Sequence, residues 1–293
     1  MPSTRHIRRR IKSIKSTAQI TKAMQMVAAS KMRKAQEAAL AGRPYALQMN
    51  RVLAEVTAHA GDFTHPLFEA REVRKRALVL VSTDRGLCGA LNANLLREAI
   101  KRDAGTTLYL ATGKKAAQFV ARSRRRLAAE FTFHDTPLFS EARAISKFAQ
   151  QLFLEGKVDA VDLLFTNFVN TLNQRPMKLN FLPVAELEAV VTGGKEELRI
   201  ESQASNLTDF LFEPNAAVVL GNLLPHYLNY IVYQVLLEAR ASEHSARMVA
   251  MKNATDNAHQ IIKDLTLEYN KMRQAGITNE LLEISSAAMA MGN

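Results

Sequence analysis

Cysteine occurs once in 293 residues, at Cys88, so no disulfide can close within the chain and no CxxC metal or redox pair is present. Tryptophan is absent and aromatics make up 6% of the sequence, which leaves little stacking surface for single-stranded nucleic acid. Glycine and proline are also sparse, at 12 and 8 residues, and 47% of the chain is apolar. Collagen-like and wholly disordered classes are excluded on that composition. No apolar run approaches the ~18 residues of a membrane-spanning helix. Acid is nearly missing from the first 43 residues, which hold 11 Lys and Arg but only Glu37.

What remains is enough apolar material for one large domain or two ordinary ones. The net charge is +11, and most of it sits in that first segment, since residues 213–293 carry 6 basic and 8 acidic side chains. A partner therefore presents acidic groups to the N-terminus: phosphates, an anionic membrane or carboxylates of another protein. The opening RHIRRRIKSIKSTAQITKAM also has the composition of a mitochondrial transit peptide. Against that reading, no cleavage site is evident and the periodic pattern runs on past residue 40. No apolar core follows the basic residues, as a secretory signal would require.

The N-terminal pattern is helical. Ile7, Ile11, Ile14, Ala18, Thr21, Met24, Ala28, Met32, Ala35 and Ala39 recur every three or four residues and form one seam. Gly42 and Pro44 interrupt the pattern, and Tyr45, Met49, Val52 and Val56 continue it to about residue 58. Such a helix would be roughly 80 Å long. At the other end, Glu213-Pro214 suits a helix start and Pro225 predicts a kink or restart. Ala258, Ile262, Leu265, Tyr269 and Met272 are spaced 4, 3, 4, 3, and Ile277, Leu281, Ile284, Ala288 and Met291 repeat that spacing after a slip at Gly276. Neither helix can bury its own seam, so the two are expected to zip into an antiparallel coiled coil. Small residues (Ala18, Ala28, Ala35, Ser242, Ala246) would allow close approach.

Between them, residues 75–195 read as an α/β domain. Strands are expected at Arg76–Thr83, Thr106–Ala111, Leu127–Phe133, Val158–Asn167 and Met177–Leu182, and helices at Leu91–Lys101, Lys114–Ser123 and Ser140–Leu154. That alternation implies a sheet at least partly parallel, hence a Rossmann-like fold. The division is 1–60 for the N-terminal helix, 75–195 for the α/β domain, and 205–293 for the remainder with the C-terminal helix. Val191–Glu197 reads as a loop.

An α/β domain invites a nucleotide, but the turn after the first strand, Asp84-Arg85-Gly86-Leu87-Cys88-Gly89, has two glycines three apart and is not GxGxxG. Gly113-Lys114 lacks both the earlier glycine and the following Ser or Thr of a P-loop. Cys88 has no nearby histidine and reads as a small structural residue. The seven histidines form no HxxxH or HExxH pair. Glu243 beside His244 reads as an exposed helical pair. No cofactor, metal or catalytic group is expected.

Three stretches carry a family likeness. Ile20-Thr21-Lys22-Ala23-Met24, continuing through Met26 to Lys34, resembles the N-terminal helix of the gamma subunits of bacterial F-type ATP synthases. Ser82 to Gly89, followed by Leu91-Asn92, resembles their central-domain motif, within which Asp84, Arg85, Gly86, Cys88 and Gly89 stand out. Ala246 to Asn257, with Tyr269-Asn270-Lys271, Arg273-Gln274-Ala275 and Ile277-Thr278, resembles their C-terminal helix. The likeness spans the chain in order. It implies a non-catalytic rotor shaft inside a ring of alpha and beta subunits, with the epsilon subunit and the membrane c-subunit ring at its foot. It implies no nucleic-acid partner and an indirect, peripheral attachment to the cytoplasmic face of the bacterial inner membrane. By resemblance, Lys22, Met24, Lys31, Arg33, Arg247, Arg273, Gln274, Thr278 and Glu280 would meet the alpha/beta ring. Phe210, Leu211 and Phe212, within Asp209–Pro214, would meet the membrane ring or epsilon. The uncharged tail from Ser285 would be the shaft tip. A basic coiled-coil protein that binds nucleic acid and a nucleotide-dependent enzyme are the competing classes, and the first predicts steep salt dependence.

Overall fold

The computed structural model describes residues 4–59, 65–184, 213 and 215–291. The chain divides into two compact units, Ala28–Arg247 and a smaller one made of Met1–Val27 with Met248–Asn293. The helical elements α1 (Thr4–Ala41), α2 (Arg43–His59) and α6 (Ala216–Met291) bracket the sequence. Between them lie β1 (Arg76–Val81), α3 (Leu91–Ile100), β2 (Thr107–Thr112), α4 (Lys114–Arg122), β3 (Arg126–Phe131), α5 (Phe139–Leu154), β4 (Ala160–Phe168) and β5 (Gln174–Leu182).

The larger unit holds a five-stranded sheet of order β3-β2-β1-β4-β5. The first four strands are parallel and β5 returns antiparallel along β4. The β1 sequence RALVLV explains its central place. Ala77, Val79 and Val81 face the core shared with α2, α5 and α6, while Leu78 and Leu80 face the core of α3 and α4. A strand covered on both faces needs such a continuous apolar run. The hairpin between β4 and β5 turns on Asn170, whose side-chain oxygen accepts the backbone N–H groups of Leu172 (2.9 Å) and Asn173 (2.8 Å). Gly113, at the start of α4, has φ +96° and lies so close to Ser82 that a Cβ would collide with its carbonyl.

Within the same unit, α1 and α2 run antiparallel to α6. Ala35 packs with Ala241, the Gly42 carbonyl accepts from the Tyr230 hydroxyl (2.7 Å), and Tyr45 bonds His226 (2.9 Å), so one numbering rises as the other falls. Gly42 separates α1 from α2 at a close crossing, where a Cβ would meet Gln234 Nε2 at 2.7 Å and Tyr230 Oη at 2.8 Å. Of the two outcomes expected at Pro225, a restart is not seen: α6 runs without a break in its helix from Ala216 to Met291, with Pro225 inside it. A proline there forfeits one backbone bond, to the carbonyl four residues earlier. The packing of Leu220, Leu224, Leu228 and Val232 into the sheet core offsets that loss.

In the smaller unit, α1 contributes Ile7 and Ala18 to a buried seam, and α6 contributes Met251, Thr255, Ala258 and Leu265. The α6 spacing is 4, 3, 7, which is the heptad pattern. Thr21 and Thr255 bring their hydroxyls to 2.7 Å across the seam, and each hydroxyl also reaches a carbonyl of its own helix, Ala18 at 3.1 Å and Met251 at 2.8 Å, so the polar pair is satisfied where it meets. The expected second seam is a correction. Ile277, Leu281 and Ile284 are 50%, 62% and 67% exposed, because α6 outruns the α1 stretch that covers it. The helix continues through Gly276.

Candidate functional site

In an open α/β sheet, ligands bind outside the carboxyl ends of the strands, where connections diverge to opposite sides. Here that place lies beside β1, which pairs with β2 on one side and β4 on the other. The donors a phosphate would use are already taken. At the α4 N-terminus, Lys114 N donates to Asp84 Oδ1 (3.1 Å), Lys115 N to the Thr83 carbonyl (3.1 Å) and Ala116 N to Ser82 Oγ (2.7 Å). At α3, Asn92 turns back to bond Thr83 Oγ1 (2.7 Å) and the Cys88 sulfur (3.3 Å).

What occupies the carboxyl edge is the chain's own helix. Between Glu238 and Arg247, α6 lies along this edge and bonds the end of β4 and the hairpin that follows it. Glu238 accepts the Phe168 N–H (3.2 Å), and Ser242 and Ser245 donate to the carbonyls of Thr166 and Thr171 (2.9 Å each). Small residues make this possible, since Ala241, Ser242 and Ser245 are fully buried.

Arg240 is the hub. Its side chain is 3% exposed and spends its donors on four groups: Glu243 (2.6 Å), Asp84 (3.2 Å) and the carbonyls of Phe133 (2.6 Å) and His134 (3.2 Å). Its guanidinium also lies 3.9 Å from the Phe133 ring centre. Glu243 is shared with Arg247 (2.8 Å), which reaches the carbonyls of Arg85 (3.4 Å) and Gly86 (3.2 Å). Two arginines thus pin the Asp84–Gly89 loop to α6. A buried charge is tolerated only when paired in this way. Leu87 and Gly89 take positive φ, +61° and +59°, and turn Cys88 inward against Leu91 and Ala246. Burial pushes the Cys88 thiol up, and Arg247 only partly opposes it.

Of the motif residues, the structure therefore brings Asp84, Arg85, Gly86, Cys88 and Arg247 together. Arg247 is part-buried, with 13% of its side chain exposed, and its guanidinium is engaged by Glu243 and the motif loop. Glu243 and His244 are not an exposed pair; both are buried, at 5% and 3%. Lys31 pairs with Asp135 across 104 residues. Burial pushes the Asp135 carboxyl up, but Lys31, with His244 and Arg240, holds it below the ordinary range. Met24 is half-buried in the seam, while Lys22, Arg33, Arg273, Gln274, Thr278 and Glu280 are exposed. Phe210, Leu211 and Phe212, together with Val191–Glu197, lie outside the described residues. Sequence reasoning missed Arg240, Asp135 and Phe133. The signal available was a lone arginine in the small-residue stretch EARASEHSA. Among the described residues no cluster of three metal-ligating side chains occurs, and no helix is long and apolar enough to cross a membrane.

Comparison with known proteins bears on the whole chain. The family model described as ATP synthase matches residues 3–291. The ATP synthase gamma chain of Methylacidiphilum infernorum is 46% identical over 297 residues, covering 100% of both chains. That of Opitutus terrae is 48% identical over 292 residues, covering 99% of each. Among solved structures, a chain of the Euglena gracilis mitochondrial ATP synthase aligns over 98% of this chain and 94% of its own, at TM-score 0.71 and 19% identity. A chain of the Tetrahymena thermophila mitochondrial ATP synthase central stalk and c-ring aligns over 80% of this chain and 99% of its own, at TM-score 0.59 and 24% identity. At those identities the structural likeness speaks for the fold.

Proposed function

The chain belongs to the ATP synthase gamma-chain family and serves as the rotor shaft of an F-type ATP synthase; from that premise we propose how its build carries torque without bond chemistry of its own. It is part of the F1 portion, peripheral to the membrane, and its position is the cytoplasmic face of a bacterial inner membrane. Its partners are the alpha and beta subunits, epsilon and the c-ring. Residues 1–60 and 205–293 supply shaft and foot, and 75–195 the α/β body.

Turning of the membrane ring reaches the foot, for which Phe210, Leu211 and Phe212 are the proposed contacts. The clamp of α6 on the sheet edge makes body and helix move together, because Arg240 and Arg247 tie the Asp84–Gly89 loop to the helix. Along the shaft, Lys22, Lys31 and Arg33 meet acidic groups of beta. Exposed ion pairs contribute about 0–1 kcal/mol each, so they exchange readily as the shaft passes from one beta to the next. Arg273, Gln274, Thr278 and Glu280 form a higher contact set, and their exposure supports that reading. Arg247 works from inside, by holding the motif loop. The occupied strand edge supports a non-catalytic role.

The observation that carries this reading is the antiparallel pairing of α1 and α2 with α6 in a chain that matches gamma-chain relatives over 99–100% of their length. Its test is assembly. The purified chain, mixed with alpha and beta subunits, is expected to yield a complex with ATPase activity that the chain alone lacks. Hydrolysis or tight ATP binding by the isolated chain would contradict it.

A further inference from the structure

Between Leu95 and Arg126 the sequence holds nine Lys and Arg against two acids, Glu98 and Asp103. Strands β1 to β4 are parallel, so their first residues share an amino edge, opposite the edge that α6 clamps. Arg126 opens β3 there, Arg122 ends α4 just before it with Arg124 between, and Arg102 lies in the turn from α3 to β2. Other cations of this edge are neutralised: Arg71 pairs with Glu69 (2.7 Å), Arg74 with Glu72 (2.8 Å), Lys101 with Glu98 (2.7 Å) and Lys157 with Glu155 (2.6 Å). Asp103 folds onto its own loop, accepting from the Gly105 N–H (3.2 Å) and the Thr106 hydroxyl (2.9 Å). Among the described residues, Arg102, Arg122, Arg124 and Arg126 form no ion pair; the last three are exposed and Arg102 is half-buried.

The backbone holds one of these charges at a cost. The end of α4 is a Schellman turn, in which Arg125 N donates to the Val120 carbonyl (3.0 Å) and Arg124 N to that of Ala121 (3.2 Å). The left-handed position of that turn favours glycine, yet Arg124 occupies it at φ +50°. Arg125 braces the same corner from within, donating to the carbonyls of Arg102 (3.0 Å) and Ile100 (3.2 Å). A strained, exposed charge on a braced turn marks a surface put to use.

We propose that Arg102, Arg122, Arg124 and Arg126 form a contact for an anionic phospholipid surface. Position decides for the bilayer over other polyanions. Ser242 of α6 bonds Thr166 and Ser245 bonds Thr171, so α6 runs in the same sense as β4. Its start at Ala216 lies roughly 30 Å back along the helix, toward the amino edge. On the proposed function, on which this inference rests, the foot before α6 meets the membrane ring, and the arginine edge is turned the same way. Such a hold is weak and reversible, as a turning part requires.

Co-sedimentation of the chain, assembled with alpha and beta subunits, with vesicles tests this without any membrane ring. Binding is expected to phosphatidylcholine vesicles containing about one-third phosphatidylglycerol, to be absent on pure phosphatidylcholine, and to be released by high salt. The combined Arg122→Gln, Arg124→Gln and Arg126→Gln variant should bind about 100-fold more weakly, near fivefold for each charge, with its ATPase activity kept. Arg124→Gly separates charge from folding: its melting temperature should rise while binding falls about fivefold. Equal binding to both vesicle types, or unchanged binding by the triple variant, overturns the proposal, and if such a complex still hydrolyses ATP the shaft reading stands. Tighter binding of a DNA duplex than of the vesicles, lost in the same variant, would assign the patch to nucleic acid and overturn it too. If no complex assembles, the shaft reading fails, and the same comparison of the full chain with its triple variant decides the lipid contact.

Discussion

At the scale of single residues, the protein concentrates its buried charge where a nucleotide-binding relative of this fold would hold a ligand. Arg240 neutralises Asp84 and Glu243 and satisfies two carbonyls. Arg240→Leu would strand both acids, and breaking a buried ion network by removing one partner typically costs about 3–5 kcal/mol. A urea titration of the full chain should show that loss, and a change below about 1 kcal/mol would refute the hub assignment. Cys88 offers a second measurement. Burial raises its thiol above the ordinary value, so less thiolate is present at neutral pH than in a free cysteine. Its alkylation by iodoacetamide should be slow in the native chain and fast after denaturation. Equal rates would mean the motif loop is open. Cys88 already read as a small structural residue in the sequence, but the Arg240 hub was not legible there. A lone arginine in a helix looks solvated until the fold brings Asp84 from 156 positions away, and Glu243 with His244 looked exposed for the same reason.

At the scale of elements, much more could be read. The β1 run RALVLV, the alternation of strands with short helices, and the heptad spacing on α6 each carry a local signal, and each element appears within a few residues of its expected bounds. The antiparallel β5 and the unbroken helix through Pro225 could not be read, because both depend on tertiary packing. The coiled-coil seam supplies the prediction at this scale. Leu265 is 8% exposed and Leu281 is 62% exposed. Leu265→Ala should therefore cost about 2–4 kcal/mol in thermal denaturation of the chain, and Leu281→Ala less than about 0.5 kcal/mol. Equal losses would show that the second half of α6 is covered after all. On the same logic, removing a few residues from 285–293 should harm assembly less than Leu265→Ala.

At the scale of the whole molecule, the claim is mechanical: a shaft whose surface contacts are individually weak and whose internal joints are strong. Met24 sits half-buried in the seam beside an already basic face. Met24→Lys should leave the alpha/beta complex assembled while reducing protons pumped per ATP hydrolysed; an unchanged ratio would remove Met24 from the coupling surface. The most direct measurement is of motion. With beta subunits fixed to a surface and a bead tethered through a cysteine placed at exposed Lys157, the buried Cys88 staying unlabelled, ATP should drive sustained rotation in one direction. A bead that stays still or wanders in both directions while the same complexes hydrolyse ATP would contradict the account.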